Sequence, residues 1–142
     1  MNLKISSLRG TLVAAIATLL FTVLPAAAQT AENELGESAW TLSVPSGLSA
    51  SDVQNAIITA LAGRQWNLKS KSDGQVVGYL KHRSNEATVT FVYDTTKIEC
   101  FCVGWEINKK TGVRKGPEQP KNWLKNLQGD TTKNLTLATV GK

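Results

Sequence analysis

Residues 87–93 constrain the fold more than any other stretch, because Ala87, Val89, Phe91 and Tyr93 alternate there with Thr88, Thr90 and Val92. Successive side chains of an extended chain point to opposite faces, so a period of two makes a strand with one apolar side. Such a strand needs pairing neighbours and a layer to cover that side. The flanking sequence predicts the neighbours. Trp66-Asn-Leu-Lys-Ser reads as a strand, Asp73-Gly74 as a hairpin turn, residues 75–82 as a second strand and residues 98–107 as a fourth.

The register of the second strand has two solutions. A two-residue turn at Asp73-Gly74 aligns Val77 and Tyr79 with Trp66 and Leu68, whereas a bulged turn aligns Val76, Gly78 and Leu80 with them. The bulged turn is preferred because it leaves Lys81 in water. It sets His82 at the end of the inward face.

The covering layer comes from two helices. Over residues 51–62, Val53, Ala56, Ile57, Ala60 and Leu61 fall at helical spacing, with Ser49 or Ser51 as the cap, Asp52 in the first turn and Gly63 as the stop. A second helix is expected from about Pro120, with Glu118 near its positive end. It turns Trp123, Leu124, Leu127 and Leu135 inward, is weakened by Gly129 and is followed by a fraying tail at 137–142. Trp40 to Val44 reads as a short extra strand closed by Pro45-Ser46-Gly47. The fold class expected is α+β, an antiparallel four-stranded meander flanked by an N-terminal and a C-terminal helix on one face.

The beginning of the chain predicts its destination. Lys4 and Arg9 precede an apolar run from Leu12 to Leu24, which ends in Pro25-Ala26-Ala27-Ala28. This is the layout of a secretory signal peptide, and the run is shorter than the roughly 20 apolar residues of a spanning helix. Residues 1–28 are therefore expected to be removed, 29–39 to form a polar leader, 40–136 a single domain and 137–142 a tail. The expected location is periplasmic or secreted. Cleavage removes Lys4 and Arg9 and no acid, so the net charge falls from +5 to +3. That mild excess does not suggest nucleic acid, which calls for a dense basic stripe.

Several segments together resemble a family of small, uncharacterised secreted or lipid-anchored bacterial proteins. They are Arg64-Gln-Trp66 after the first helix, the hairpin through Gly74, Arg83 ahead of Ala87-Thr-Val89-Thr-Phe91-Val-Tyr93, and Asn122-Trp123-Leu124-Lys125-Asn126-Leu127. The resemblance spans about residues 52–135 and implies a fold and a compartment, with no activity attached. The chain departs from it at Pro120, where a tyrosine is usual, and at Cys100 and Cys102, where aromatic or polar residues are usual.

Four features carry candidate chemistry. Cys100 and Cys102 are two apart on a strand, so their side chains share a face about 6.6 Å apart at ~3.3 Å per residue. They read as a labile redox pair, a soft-metal site or a cross-link, set against two small buried fillers. His82 with Arg83 and Glu86 has the makings of a base, but no nucleophile accompanies it, and no enzyme is expected. Lys109, Lys110, Arg114 and Lys115 form a candidate anion-binding loop without interleaved aromatics. Tyr79, Val92, Phe101, Val103 and Trp105 fall on the outward side of the sheet, an apolar face calling for cover by residues 40–44, a second subunit or a ligand. The reading is a non-catalytic secreted or periplasmic binding module, without assigned cofactor or metal, using a protein partner or a second copy at that face. The alternative is a thiol redox or soft-metal-handling protein built on Cys100 and Cys102.

Overall fold

The computed structural model describes residues 35–142, so the expected signal peptide and residues 29–34 of the leader lie outside the described residues. The elements run β1 (Glu37–Ser43), α1 (Ala50–Gly63), β2 (Asn67–Ser72), β3 (Gln75–His82), β4 (Asn85–Tyr93), β5 (Lys97–Ile107), β6 (Arg114–Pro117) and α2 (Lys121–Val140). The class is α+β with an antiparallel sheet, as expected, but the sheet has six strands rather than four. Its order is β1-β5-β4-β3-β2, and β6 also pairs with β5.

β2 to β5 form the expected meander. The two added strands both pair with β5, β1 along Lys97 to Cys102 and β6 along Trp105 to Ile107. β1 thus starts three residues before the expected strand. It takes Glu37, Ser38 and Ala39 from the segment read as leader.

The register resolves in an unexpected way. The Asp73-Gly74 turn is tight, with Ser72 opposite Gln75, and the irregularity lies between Leu68 and Ser70 inside β2. That bulge slips the register by one, so Leu68 faces Gly78 while Val76 and Gly78 are buried inward as expected.

One core fills the space between sheet and helices. The inner face supplies Val76, Ala87, Val89, Phe91, Tyr93, Ile98, Cys100 and Cys102; α1 supplies Val53, Ala56, Ile57, Ala60 and Leu61; α2 supplies Leu124, Leu127 and Leu135. Gly78 is required by this packing, since a Cβ there would stand 2.7 Å from a Leu61 methyl. Trp40 of β1 points inward, tilted against Phe91 at 5.7 Å, and its indole N–H donates to the Leu124 carbonyl at 3.1 Å.

The start of α1 is as expected, with Ser49 as the cap and Asp52 in the first turn, whereas the other helix ends differ. α1 begins with a capping box: the Ser49 hydroxyl accepts from the Asp52 N–H, and the Asp52 carboxylate accepts from the Ser49 N–H. Its other end includes Gly63, and the left-handed residue beyond is Gln65 at φ 62°. A second non-glycine residue, Arg83 in the β3–β4 turn, has φ 55°. Each costs about 1 kcal/mol relative to glycine in that conformation. α2 lacks a side-chain cap at Pro120 and an acid in its first turn, because the Glu118 carboxylate accepts from Asn85 instead. α2 continues to Val140 through the segment expected as a tail, and the Lys142 ammonium lies 2.6 Å from Asp52, whose carboxyl it helps hold down at about 2.

Thr131 is fully buried on α2 and its hydroxyl has no hydrogen-bond partner among the described residues. Thr131→Val keeps the shape and removes that unpaired group, so a gain of about 1 kcal/mol in denaturant unfolding is expected. A loss would mean that the hydroxyl is satisfied.

Candidate functional site

The strand pairings decide where each candidate residue stands. Across β3, β4 and β5, Tyr79 aligns with Thr88 and Val103, Val77 with Thr90 and Phe101, Gln75 with Val92 and Glu99, and Lys81 with Glu86 and Trp105. All these residues lie on the face opposite the core. The expected outward set of Tyr79, Val92, Phe101, Val103 and Trp105 therefore shares one face, with Thr88 standing between Tyr79 and Val103, and each member is half-buried.

Cover by residues 40–44 does not occur. β1 lies in the plane of the sheet, and Trp40 belongs to the core. Both helices pack on the inner face, so no described element lies over the outer one.

Cations frame this face. The Arg114 guanidinium sits 4.9 Å from the Trp105 ring centre and donates to Glu86 at 2.7 Å, while the Lys69 ammonium stands 5.5 Å from the Tyr79 ring. The hydrogen bond from Arg114 lowers the Glu86 carboxyl pKa, and burial together with the Glu86 charge raises that of the Tyr79 phenol. The β3 and β5 columns of the face are mainly apolar, the β4 column between them carries Glu86, Thr88, Thr90 and Val92, and the cations stand at its edges.

The proposed anion loop is divided by the same geometry. Arg114 turns to the outer face, Lys115 pairs with Glu106 at 2.6 Å, and Lys109 and Lys110 remain exposed in the β5–β6 turn. Four cations converging on one ligand is not what the chain builds.

Cys100 and Cys102 point into the core as free thiols, 0 % and 2 % exposed. Burial pushes both thiol pKa values up, that of Cys102 to about 11 with help from the Glu37 charge, which keeps the thiolate scarce at neutral pH. Among the described residues no cluster of three or more His, Cys, Asp or Glu is arranged to hold a metal ion. Both thiols are expected to resist alkylation in the native state and to react fully on unfolding; a rapid native reaction would contradict their placement. The pH dependence has a definite sign. A thiol with a folded pKa above its unfolded value is protonated in the native state while the unfolded chain ionises. Stability is then expected to fall by about 1 to 2 kcal/mol per thiol between pH ~9 and ~11, and Cys102→Ala removes part of that slope.

His82 ends the inward face of β3, but it is exposed and lines a cleft of about 170 Å³ with Arg64, Gln65, Trp66, Leu80, Trp123 and Asn126. Trp66 and Trp123 meet edge to face, 5.9 Å apart at 87°. The Arg64 guanidinium is fixed by two contacts to Asp130, at 2.6 and 3.3 Å. Helical spacing turns Trp123 toward the core and by itself gives Arg64, Gln65 and Asn126 no place in a site. The signal available was the stripe Trp123, Asn126 and Asp130 at i, i+3 and i+7, which puts an aromatic, an amide and an acid on one side of α2.

No described helix is long and apolar enough to cross a membrane. Compared with protein-family models, with curated proteins and with solved structures, the chain has no match.

Proposed function

We propose that this chain is a non-catalytic binding and interaction module working in the periplasm or outside the cell, with the outer sheet face as its interaction surface and a second copy as the occupant. The observation that carries the reading is the largely apolar outer face, with Val77 and Tyr79 on β3 and Phe101, Val103 and Trp105 on β5 flanking Thr88, Thr90 and Val92 of β4, which no described element covers. Its size suits a stable pair. Five strands at ~4.8 Å and the nine residues of β4 at ~3.3 Å give a face of about 700 Å², near the ~800 Å² per partner of a standard interface.

The face is also complementary to itself. A two-fold axis parallel to the strands and centred on β4 lays β3 of one copy over β5 of the other. Val77 then meets Phe101, Tyr79 meets Val103, and the Gln75 amide meets the Glu99 carboxylate. On the axis Thr88, Thr90 and Val92 meet their own counterparts, and in the Trp105 row at the rim the two Glu86 carboxylates meet, each held by its own Arg114. The result is an aligned sheet-on-sheet packing with the two layers ~10 Å apart. Burial and raised pKa values of both thiols favour this reading over thiol chemistry.

Phe101→Ser and Trp105→Ser test it, since both residues are half-buried and outside the core. Phe101→Ser is expected to weaken the dimer at least tenfold, read by sedimentation velocity over a concentration series, with its melting midpoint nearly unchanged. Trp105→Ser, at the rim, is expected to weaken it less. Equal dissociation for wild type and both variants would contradict the assignment.

A further inference from the structure

The cleft beside His82 lies on another part of the molecule from the outer sheet face, and its chemistry is distinct. Leu80, Trp66 and Trp123 make an apolar wall, Trp66 almost buried and Trp123 half-buried. Around its mouth stand Gln65, His82 and Asn126, all exposed, whose side chains have no hydrogen-bond partner among the described residues. Arg64 adds a guanidinium edge, but its charge is offset by Asp130.

These features select the ligand class. An anion is poorly matched, because the one fixed cation already holds a carboxylate. A purely apolar ligand leaves two carboxamides and an imidazole unused. We propose that this cleft binds a single ring of a neutral saccharide, either free or as a residue of a chain. A pyranose ring has an apolar C–H face suited to the accessible parts of Trp123 and Leu80, which buried Trp66 backs. Its hydroxyls both donate and accept, as do the amide and imidazole groups at the mouth. The cleft volume of about 170 Å³ is small for a drug-sized molecule and is on the scale of one substituted six-membered ring.

The backbone supports the same location. Of the two non-glycine residues in the left-handed region, Gln65 lines this cleft, and Arg83 is the turn residue next to His82 in the chain. Backbone strain of this kind gathers at ligand clamps. Gln65 occupies the position past a helix end where glycine is commonest, and Arg83 a hairpin position that also favours glycine.

The test is a titration of the purified full-length secreted chain, followed by the indole N–H resonances of Trp66 and Trp123. The probes are methyl β-glucopyranoside, methyl β-galactopyranoside and N-acetylglucosamine, with N-acetylalanine carboxylate as the anionic comparison. At least one sugar is expected to give saturable shifts in the millimolar range. Asn126→Ala and His82→Ala, both at exposed positions, are expected to weaken binding about fivefold each without changing the melting midpoint. Gln65→Gly is expected to raise the midpoint and weaken binding. Phe101→Ser on the outer face is expected to leave sugar binding unchanged, which separates this inference from the dimer. The proposal is overturned if no sugar saturates by ~50 mM, a free energy of binding too small to be specific. It is also overturned if only the carboxylate binds, or if Asn126→Ala and His82→Ala both bind as wild type does.

Discussion

Phe91→Ala is expected to lower the unfolding free energy by about 4 kcal/mol, seen as a lower denaturant midpoint with little change in slope. Phe91 is fully buried at the middle of the sheet, flanked on the inner face by Val76 of β3 and Cys100 of β5, and its ring meets Trp40 of the edge strand at 5.7 Å. Truncation leaves a cavity bounded by three strands, so the surroundings have little room to collapse. A domain of this size has a total stability of roughly 5 to 15 kcal/mol, and the variant is therefore left near the margin. A loss below about 1 kcal/mol would mean that the core is centred elsewhere.

Gly104→Ala is the second change with a large expected effect. A Cβ at this position of β5 would collide with the Glu118 carbonyl oxygen and lie 3.0 Å from the Pro120 ring, and both obstacles are parts of the chain leading into α2. The Glu118 N–H also donates to the Gly104 carbonyl at 3.0 Å, which ties the connection to the strand. Because backbone rather than a flexible side chain is in the way, relief requires moving the start of α2 and with it Leu124 and Leu127. A destabilisation of about 3 kcal/mol is expected. Hydrogen exchange should report it first in α2 while β3 and β4 keep their protection. Full stability would show that the β6–α2 connection is free to shift.

The parts of this fold legible in the sequence are those whose apolar spacing agrees with local signals. The α1 stripe from Val53 to Leu61, the alternation of β4 and the outward place of Phe101 and Trp105 follow from periodicity alone, whereas that of Tyr79 also requires the choice that leaves Lys81 in water. β6 was not legible, because Arg-Lys-Gly-Pro has the composition of a loop and becomes a strand only through pairing with β5. β1 was read too short and left out of the sheet, since Glu37 and Ser38 carry no strand signal of their own and pair at a register shift. The turn at Asp73-Gly74 and the bulge in β2 yield the same inward residues as a bulged turn would. Patterning could therefore set the faces but not the site of the irregularity. Gly63 was taken as the helix stop on composition, whereas the left-handed position falls to Gln65. Of the functional surfaces, the outer face was legible because it lies on one periodic sheet. The cleft was not, because Arg64, His82 and Asn126 come from three elements that only the packing of α2 brings together.

The central claim is that the outer face joins two copies. The most direct measurement is a filtered nuclear Overhauser experiment on an equimolar mixture of isotope-labelled and unlabelled chains. Cross-peaks between copies, from the Val77 and Val103 methyls of one to the Phe101 and Tyr79 rings of the other, are predicted. Their absence in a sample that sediments as a monomer at millimolar concentration would contradict the account.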